Sequence, residues 1–301
     1  MLIGLATRSL LPPTEVDDLP LHAALARRGV SCEHPVWDDP AVDWVRYDAV
    51  LIRTTWDYQN KLPQFLAWVE RVAAVTRLFN PAPILVWNTH KHYLRELAAL
   101  GVPLAETVWL ARGSTIDLAS LMAQYSFSRG FLKPCVGSTA RETLPFSNNP
   151  AGLALAQAHV DRLLPQEDLM LQPFLESVTT RGEWSAIFID GALTHCVRKI
   201  PVPGDYRVQD DFGASDEPYA PSERECRLAE QVMAIAARPL GLASRSEGLP
   251  LLYARADFLW DNLGESVLTE LELVEPSLFF RHGARAAELL ADALIRRTAG
   301  A

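Results

Sequence analysis

Two segments, Tyr253-Ala254-Arg255-Ala256-Asp257 and Leu268-Thr269-Glu270-Leu271-Glu272-Leu273, decide the fold. Both alternate with the period of two that a strand imposes, so Glu270 and Glu272 project from one face of an apolar strand. The polar stretch 261–265 joins the two strands, and a hairpin symmetric about the 263–264 bond sets Asp257 directly opposite Glu270. Three carboxylates then converge. Like charges at that spacing must be protonated, paired with basic groups or bridged by a hard cation, and an all-oxygen set suits Mg²⁺ better than zinc. Spacing alone serves equally well a solvated sheet face whose carboxylates pair with surface lysine or arginine.

Working outward, the pattern predicts strands over 169–174, 184–189, 192–197, 251–259 and 267–274, with Asp190-Gly191 as a hairpin turn, which makes a largely antiparallel sheet. Helices are predicted over 222–239 and 284–297. At the other end, strand 2–7, helix 14–28 stopped by Gly29 and strand 49–55 form a β-α-β opening. A helix from Pro63 carries Phe65, Leu66, Trp68, Val69 and Val72 on one face. Between these lie Trp87-Asn88, a helix over 91–100 ended by Gly101, a strand over 131–133 and a helix over 152–164. The expected class is α/β and α+β: a substrate-binding α/β lobe over 1–85, an α+β lobe over 86–170, and a second one over 171–301 holding the carboxylates.

Composition narrows the function. The 301 residues include 28 Lys and Arg against 37 Asp and Glu, and the net charge of -9 opposes nucleic acid and anionic membrane surfaces. No apolar run reaches 18 residues, and the N-terminus lacks the features of a signal peptide. Cys32, Cys135, Cys196 and Cys226 show no C-x-x-C spacing, so a reducing cytoplasm is expected and neither disulfides nor a zinc knuckle. His90, His92 and His195 are read as packing or surface residues, and Cys135 as a small buried filler.

Three weaker features complete the candidate site. Phe131-Leu132-Lys133-Pro134-Cys135-Val136-Gly137-Ser138-Thr139-Ala140 is a strand that delivers a lysine and then a small-residue loop, whose N–H groups can approach phosphate oxygens. A strand-end lysine before a hairpin gives the same pattern. Asn88-Thr89-His90-Lys91 opens a helix with a second lysine. Leu171-Gln172-Pro173-Phe174-Leu175-Glu176, followed by Gly182-Glu183-Trp184, offers groups for an adenine edge and a carboxylate for a ribose. Arg53 and Asp57 straddle Trp56 just after an apolar strand, where α/β lobes place ligands, or else they form an internal salt bridge.

The order of these elements, with the basic segment from Arg198-Lys199 to Arg207, resembles the ATP-grasp superfamily. Ala49-Val50-Leu51-Ile52-Arg53-Thr54-Thr55-Trp56-Asp57-Tyr58 looks like the substrate-lobe segment of bacterial glutathione synthetases, so the resemblance runs from residue 2 to about residue 280. It implies an ATP-grasp fold in which Lys91 and Lys133 contact nucleotide phosphates beneath the loop Gly137, Ser138, Thr139 and Ala140. Gln172, Phe174 and Leu175 would line adenine, and Glu183 would hold the ribose. Arg207 would neutralise an acyl phosphate or tetrahedral intermediate. Asp257, Glu270 and Glu272 would ligate two Mg²⁺ ions, with Mn²⁺ as a substitute. Glu272 stands where glutathione synthetases commonly have asparagine, and glutamate can ligate magnesium as well.

Within that superfamily, Arg53 to Tyr58, Trp87-Asn88, Gln172-Pro173-Phe174 and Glu270-Leu271-Glu272-Leu273-Val274-Glu275-Pro276-Ser277 are similar to the cycloserine-biosynthesis ligases, which close O-ureido-D-serine with ATP. This implies a small-molecule substrate held by Arg53, Asp57, Tyr58, Arg207 and Ser277, with Arg53, Lys133 and Arg207 in the chemistry, and a homodimer or homotetramer. Two other functions compete: an intermolecular carboxylate-amine ligase of the glutathione synthetase or RimK kind, and a non-catalytic ATP sensor. A sensor would be marked by loss of the metal carboxylates, and all three are present. Phosphoryl transfer needs positioning and charge neutralisation, so no Ser/His/Asp or Cys/His signature is required.

Overall fold

The computed structural model describes residues 1–9, 15–236 and 251–300. β1 (Leu2–Thr7), α1 (Leu19–Arg27), β2 (Ser31–Glu33), β3 (Ala49–Thr54), α2 (Leu62–Val75) and β4 (Arg77–Phe79) form a parallel sheet in the order β2-β1-β3-β4. Every residue of β3 is buried, as a parallel strand covered on both faces requires. α2 opens with Pro63 in its first turn and buries Phe65, Trp68, Val69 and Val72. The helix expected over 14–28 begins later: a 3₁₀ turn, Val16–Asp18, precedes α1, and Pro20 sits in the first turn of α1. Residue 14 lies outside the described residues.

α3 (Ala82–Asn88) and α4 (His92–Ala99) lead to β5 (Val108–Leu110), α5 (Leu118–Gln124), β6 (Arg129–Pro134), β7 (Leu144–Ser147), α6 (Pro150–Leu163) and β8 (Leu169–Pro173). These four strands make an antiparallel sheet ordered β5-β8-β6-β7. The third sheet follows α7 (Ser177–Thr180) and consists of β9 (Glu183–Ile189), β10 (Ala192–Ile200), β11 (Ser215–Pro218), β12 (Tyr253–Trp260) and β13 (Ser266–Glu272) in the antiparallel order β11-β10-β9-β12-β13. Asp190 and Gly191 both have positive φ, 52° and 82°, the geometry of a tight two-residue hairpin turn. α8 (Glu223–Ala236) and α9 (Ala284–Ala299) complete the chain. The part of the expected helix 222–239 beyond Ala236 lies outside the described residues.

The hydrophobic cores do not follow boundaries at 85 and 170. Leu118, Met122, Phe127, Leu132, Phe146, Val160, Leu163 and Leu171 form a core private to the middle sheet. α4 packs elsewhere, with Tyr93, Leu94 and Leu97 buried against Trp184, Val232 and Phe258 of the third-sheet unit. α9 joins the outer sheets, since Leu290 and Leu294 share a core with Leu5, Leu25, Ile187 and Val197. The physical reason lies at the free edge of β13. Asn88 donates to Leu271 O at 2.8 Å and accepts from Leu273 N–H at 2.8 Å, while Tyr93 Oη accepts from Leu271 N–H at 3.0 Å. α3 and α4 thus satisfy the edge strand that carries Glu270 and Glu272, and they belong with it. No helix among the described residues is long and apolar enough to cross a membrane.

Candidate active site

The hairpin pairs Asp257 with Glu270 and Arg255 with Glu272, so all four side chains share a face. Its turn is centred one step away from the symmetric expectation, with Trp260 opposite Ser266 and Phe258 opposite Leu268. A bulge at Thr269 absorbs the extra residue and restores the pairing of the carboxylates. On the adjoining strands, Ser185 lies beside Asp257, and Lys199 pairs with Glu183.

Charges alternate across this face. Arg255 holds Asp257 with Nε at 2.9 Å from Oδ1 and Nη2 at 2.9 Å from Oδ2, and it also bonds Glu272. Lys199 bridges Glu183 and lies 3.4 Å from Asp257 Oδ1. Lys91 reaches Glu270 and donates to Gly137 O at 3.0 Å. Burial opposes the charged form of Asp257, but Arg255 and Lys199 outweigh it and hold its pKa well below the usual carboxylate range. Glu272 behaves oppositely: burial, with Asp257 and Glu270 adding to it against Arg255, pushes it up to about 7. Glu275 is driven well above its ordinary value by burial and then by Glu272 and Glu270. Of the alternatives that the spacing allows, pairing with basic groups is the one found, because each of the three carboxylates has a cationic partner. The donor set still fits a hard divalent cation, with oxygen ligands from three residues on one face and neighbouring cations that can turn to phosphate oxygens.

This face floors a cavity of about 370 Å³, within the usual range of small-ligand sites. Lys133, Gly137, Ser138, Thr139 and Ala140 line its roof. Thr139 and Ala140 both have positive φ, 50° and 52°, a strained pair for non-glycine residues that turns the loop over the cavity. Burial lowers the pKa of Lys133, with Glu270 opposing and Lys91 adding. One end is apolar, formed by Phe131, Phe174, Leu175, Val178, Tyr206, Val208 and Leu259, with Gln172 at its edge bonded to Thr107 at 2.8 Å. Glu183 lines the wall and lies under Thr269, whose Oγ1 donates to it at 3.4 Å.

The opposite end is lined by Glu15, Asp17, Ser277, Phe279 and Arg281. Asp17 is 4% exposed, with Oδ1 held by Arg281 at 2.9 Å and Oδ2 buried without a partner. Phe279 is in the left-handed region, φ 49°, with the guanidinium of Arg281 over its ring. Arg207 lines the cavity, anchored by Asp205, which it draws down to about 2.

Arg53 and Asp57 depart from expectation. Arg53 is 3% exposed and locked onto Asp18, 2.7 Å at its shortest, while Nη1 donates to Pro276 O at 3.2 Å. Asp57 instead accepts from Trp37 Nε1 at 2.9 Å and lies 3.4 Å from Lys61. The internal salt bridge is thus the correct reading for Arg53, with Asp18 rather than Asp57 as its partner, because a guanidinium on a fully buried strand must find its counter-charge inside. Tyr58 and Ser277 do face cavity space, Tyr58 in a smaller recess shared with Lys91, Glu270 and Glu275. Sequence reasoning gave no role to Arg255, Lys199, Asp17, Glu275 or Tyr206, although Arg255, Lys199 and Glu275 stand in the segments it singled out. For Arg255 the signal was present, since it lies two residues before Asp257 on the same strand face.

A family model described as D-cycloserine synthetase DcsG, N-terminal domain, matches residues 3–80. The chain is 34% identical to the cycloserine biosynthesis protein DcsG of Streptomyces lavendulae, over 97% of this chain and 99% of that one. A crystal structure of D-cycloserine synthetase DcsG superposes with a TM-score of 0.87 and 31% identity, covering 99% of this chain and 100% of that chain. The ATP-grasp ligase PsnB, solved with a minimal precursor, gives a TM-score of 0.64 at 17% identity over 98% and 99% of the two chains, a likeness of fold.

Proposed function

The chain belongs to the DcsG family of ATP-grasp ligases, and on that premise we propose that it closes O-ureido-D-serine to D-cycloserine with ATP. Its reaction class is formation of a C–N bond from a carboxylate and nitrogen, with ATP and a divalent metal. A carboxylate is a poor acyl donor, so its oxygen first takes the γ-phosphoryl group, releasing ADP. The nitrogen bonded to oxygen then attacks the acyl carbon and phosphate leaves, while water removes the carbamoyl group as carbon dioxide and ammonia.

The observation that carries the reading is the single cavity face where Lys91, Lys133, Lys199 and Arg255 meet Asp257, Glu270 and Glu272. The apolar end accepts adenine between Phe131, Phe174, Tyr206 and Leu259, and Glu183 stands where the ribose passes toward the phosphates. Lys91, Lys133 and the loop 137–140 position the phosphates. Asp257, Glu270 and Glu272 would hold Mg²⁺, two ions with Mn²⁺ as a substitute, which supplies charge neutralisation for the transferring phosphoryl group. Arg255 and Arg207 face the charge that develops on the acyl group. Asp17, whose buried Oδ2 has no partner, would turn that oxygen to the substrate's ammonium group at the end of the cavity that Ser277 also lines. A homodimer or homotetramer working in the cytoplasm belongs to the same reading.

The test is incubation with O-ureido-D-serine, ATP and Mg²⁺ and no added amine. Equal release of ADP, phosphate and D-cycloserine supports the proposal. ADP release that needs a second amine would replace it with intermolecular ligation.

A further inference from the structure

Beside the cavity, one ring nitrogen from each of His90 and His92 and the Sγ of Cys135 all lie within 4.8 Å of one another. Asp168 stands beside the two imidazoles, its Oδ2 3.3 Å from His90 Nε2 and 3.9 Å from His92 Nε2, outside the 4.8 Å group of three. The four residues come from the α3–α4 junction, the end of β6 and the approach to β8. Main-chain bonds hold them together: Lys91 N–H donates to Cys135 O at 2.8 Å, and Cys135 N–H to Asp168 O at 2.9 Å. The spacing is therefore set by backbone and not by mobile surface side chains.

We propose that His90, His92 and Cys135, with Asp168 turning in as the fourth ligand, form a tetrahedral site for a borderline-soft divalent ion of the zinc class, separate from the magnesium carboxylates. Zinc-to-ligand lengths of about 2.0 Å for nitrogen and 2.3 Å for sulfur place tetrahedral donors about 3.3–3.8 Å apart. Two imidazoles and a thiolate favour such an ion over magnesium, whereas the all-oxygen face beneath the ATP site has the reverse preference. The side chains of His90 and His92 are 32% and 47% exposed and Cys135 is buried, which gives an entry path with the thiol at its floor. Asp168 is oriented from behind, its Oδ1 accepting from Arg112 N–H at 2.6 Å. The ordinary alternative is a His90–Asp168 hydrogen bond with Cys135 as filler.

The location gives the site a consequence. Cys135, just after β6, and Met170 of β8 pack in the same core as Tyr93, Leu94 and Leu97 of α4, so the middle sheet and the third-sheet unit already touch here. A bound ion would reinforce that contact at the point where Lys91 and Lys133 emerge.

Chelator-stripped protein titrated with Co²⁺ provides the test. The expected result is one Co²⁺ per chain with intense tetrahedral visible bands and a near-ultraviolet thiolate-to-cobalt band, both displaced by one equivalent of Zn²⁺. His92→Ala should weaken binding at least about tenfold. Cys135→Ser, nearly isosteric, should abolish the thiolate band while the melting temperature shows that it folds. His34→Ala should leave the spectrum unchanged, which excludes the His22–His34 pair, whose Nε2 atoms lie 3.2 Å apart. Absence of binding, or a weak octahedral spectrum insensitive to Cys135→Ser, would overturn the proposal.

Discussion

Glu270 shows how a neighbour changes the meaning of a substitution. As an isolated member of a carboxylate trio, its replacement by Gln would relieve repulsion in the empty protein. As the partner of the buried Lys91 amine, it does not. Glu270→Gln should cost about 1–2 kcal/mol of stability without ligand, since the amide still accepts a hydrogen bond but no longer balances the charge. The same substitution should lower turnover about 10²-fold or more and remove most of the rise in melting temperature on adding Mg²⁺ and ATP. Near-normal turnover would make the residue a purely structural ion-pair partner. Asp17→Asn should raise the KM for ureidoserine at least about tenfold and leave that for ATP nearly unchanged, because it removes a buried charge with one free oxygen. A substrate analogue without the amino group should show no such penalty, and an equal loss for both compounds would remove Asp17 from ammonium recognition. Glu272 supplies a pH signature, with its folded value of about 7 above the 4.5 of the unfolded chain. Between these values the folded protein keeps a proton that the unfolded chain has lost. The contribution to stability is therefore full below the lower value and disappears as the pH rises through the upper one. The melting temperature of the parent minus that of Glu272→Gln should fall between pH 5 and about 7.5; a flat difference would mean that Glu272 is already ionised at the lower pH.

At the scale of elements, legibility followed length and period. The strands carrying the carboxylates and the hairpin at Asp190-Gly191 were readable because alternation persists over several residues and the turn has its own chemistry. β2, β4 and β5 have three residues each, β7 and β11 four, too few to establish a period, and α3 reads Ala-Pro-Ile-Leu-Val-Trp-Asn with little polar face. The Asp257–Glu270 pairing was also legible, although Thr269 had to bulge to restore it. Which cation meets which carboxylate was not, because the Lys91–Glu270, Lys199–Asp257 and Arg53–Asp18 pairs join elements distant in sequence. Arg53 shows the cost: a local motif suggested Asp57, and tertiary packing supplied Asp18. Gly182 is a residue whose role follows from an element junction. Its φ is +77°, and a Cβ built there would lie 2.2 Å from Lys199 O. Gly182→Ala should displace the start of β9 from β10, separate Glu183 from Lys199 and cost about 2–4 kcal/mol. Thermal melts and ATP affinity both measure this, and a variant with unchanged values for each would show that the strand start adapts without strain.

The whole molecule is acidic, with a net charge of -9, and its cavity sets Lys91, Lys133, Lys199, Arg207, Arg255 and Arg281 among carboxylates that include Asp257, Glu270, Glu272 and Glu275. Such mixed charge suits a small polyanion that enters together with divalent cations, and it offers no extended basic surface to a large polyanion. The same cleft divides the packing. The middle sheet has a core of its own, while the outer sheets share theirs through α9. Cooperative opening tends to follow cores, so two exchange units are expected rather than the three suggested by lobe boundaries in the sequence. Without ligand, backbone amides of β5 to β8, α5 and α6 should exchange as one unit at a lower opening free energy than those of β1, β3, β9 and β12. In the proposed binding mode, Mg²⁺ with ATP would contact residues of both bodies, Lys133 and the 137–140 loop on one side and Asp257, Glu270 and Glu272 on the other. At a ligand concentration of 100 Kd the folded state gains about 2.7 kcal/mol. That gain should appear chiefly as slower exchange in the middle sheet, because its independent opening breaks the ligand's contacts. Hydrogen exchange followed by mass spectrometry reads both units in one experiment. Equal protection throughout the chain, before and after ligand, would show that the private core does not open independently and that the cleft is fixed.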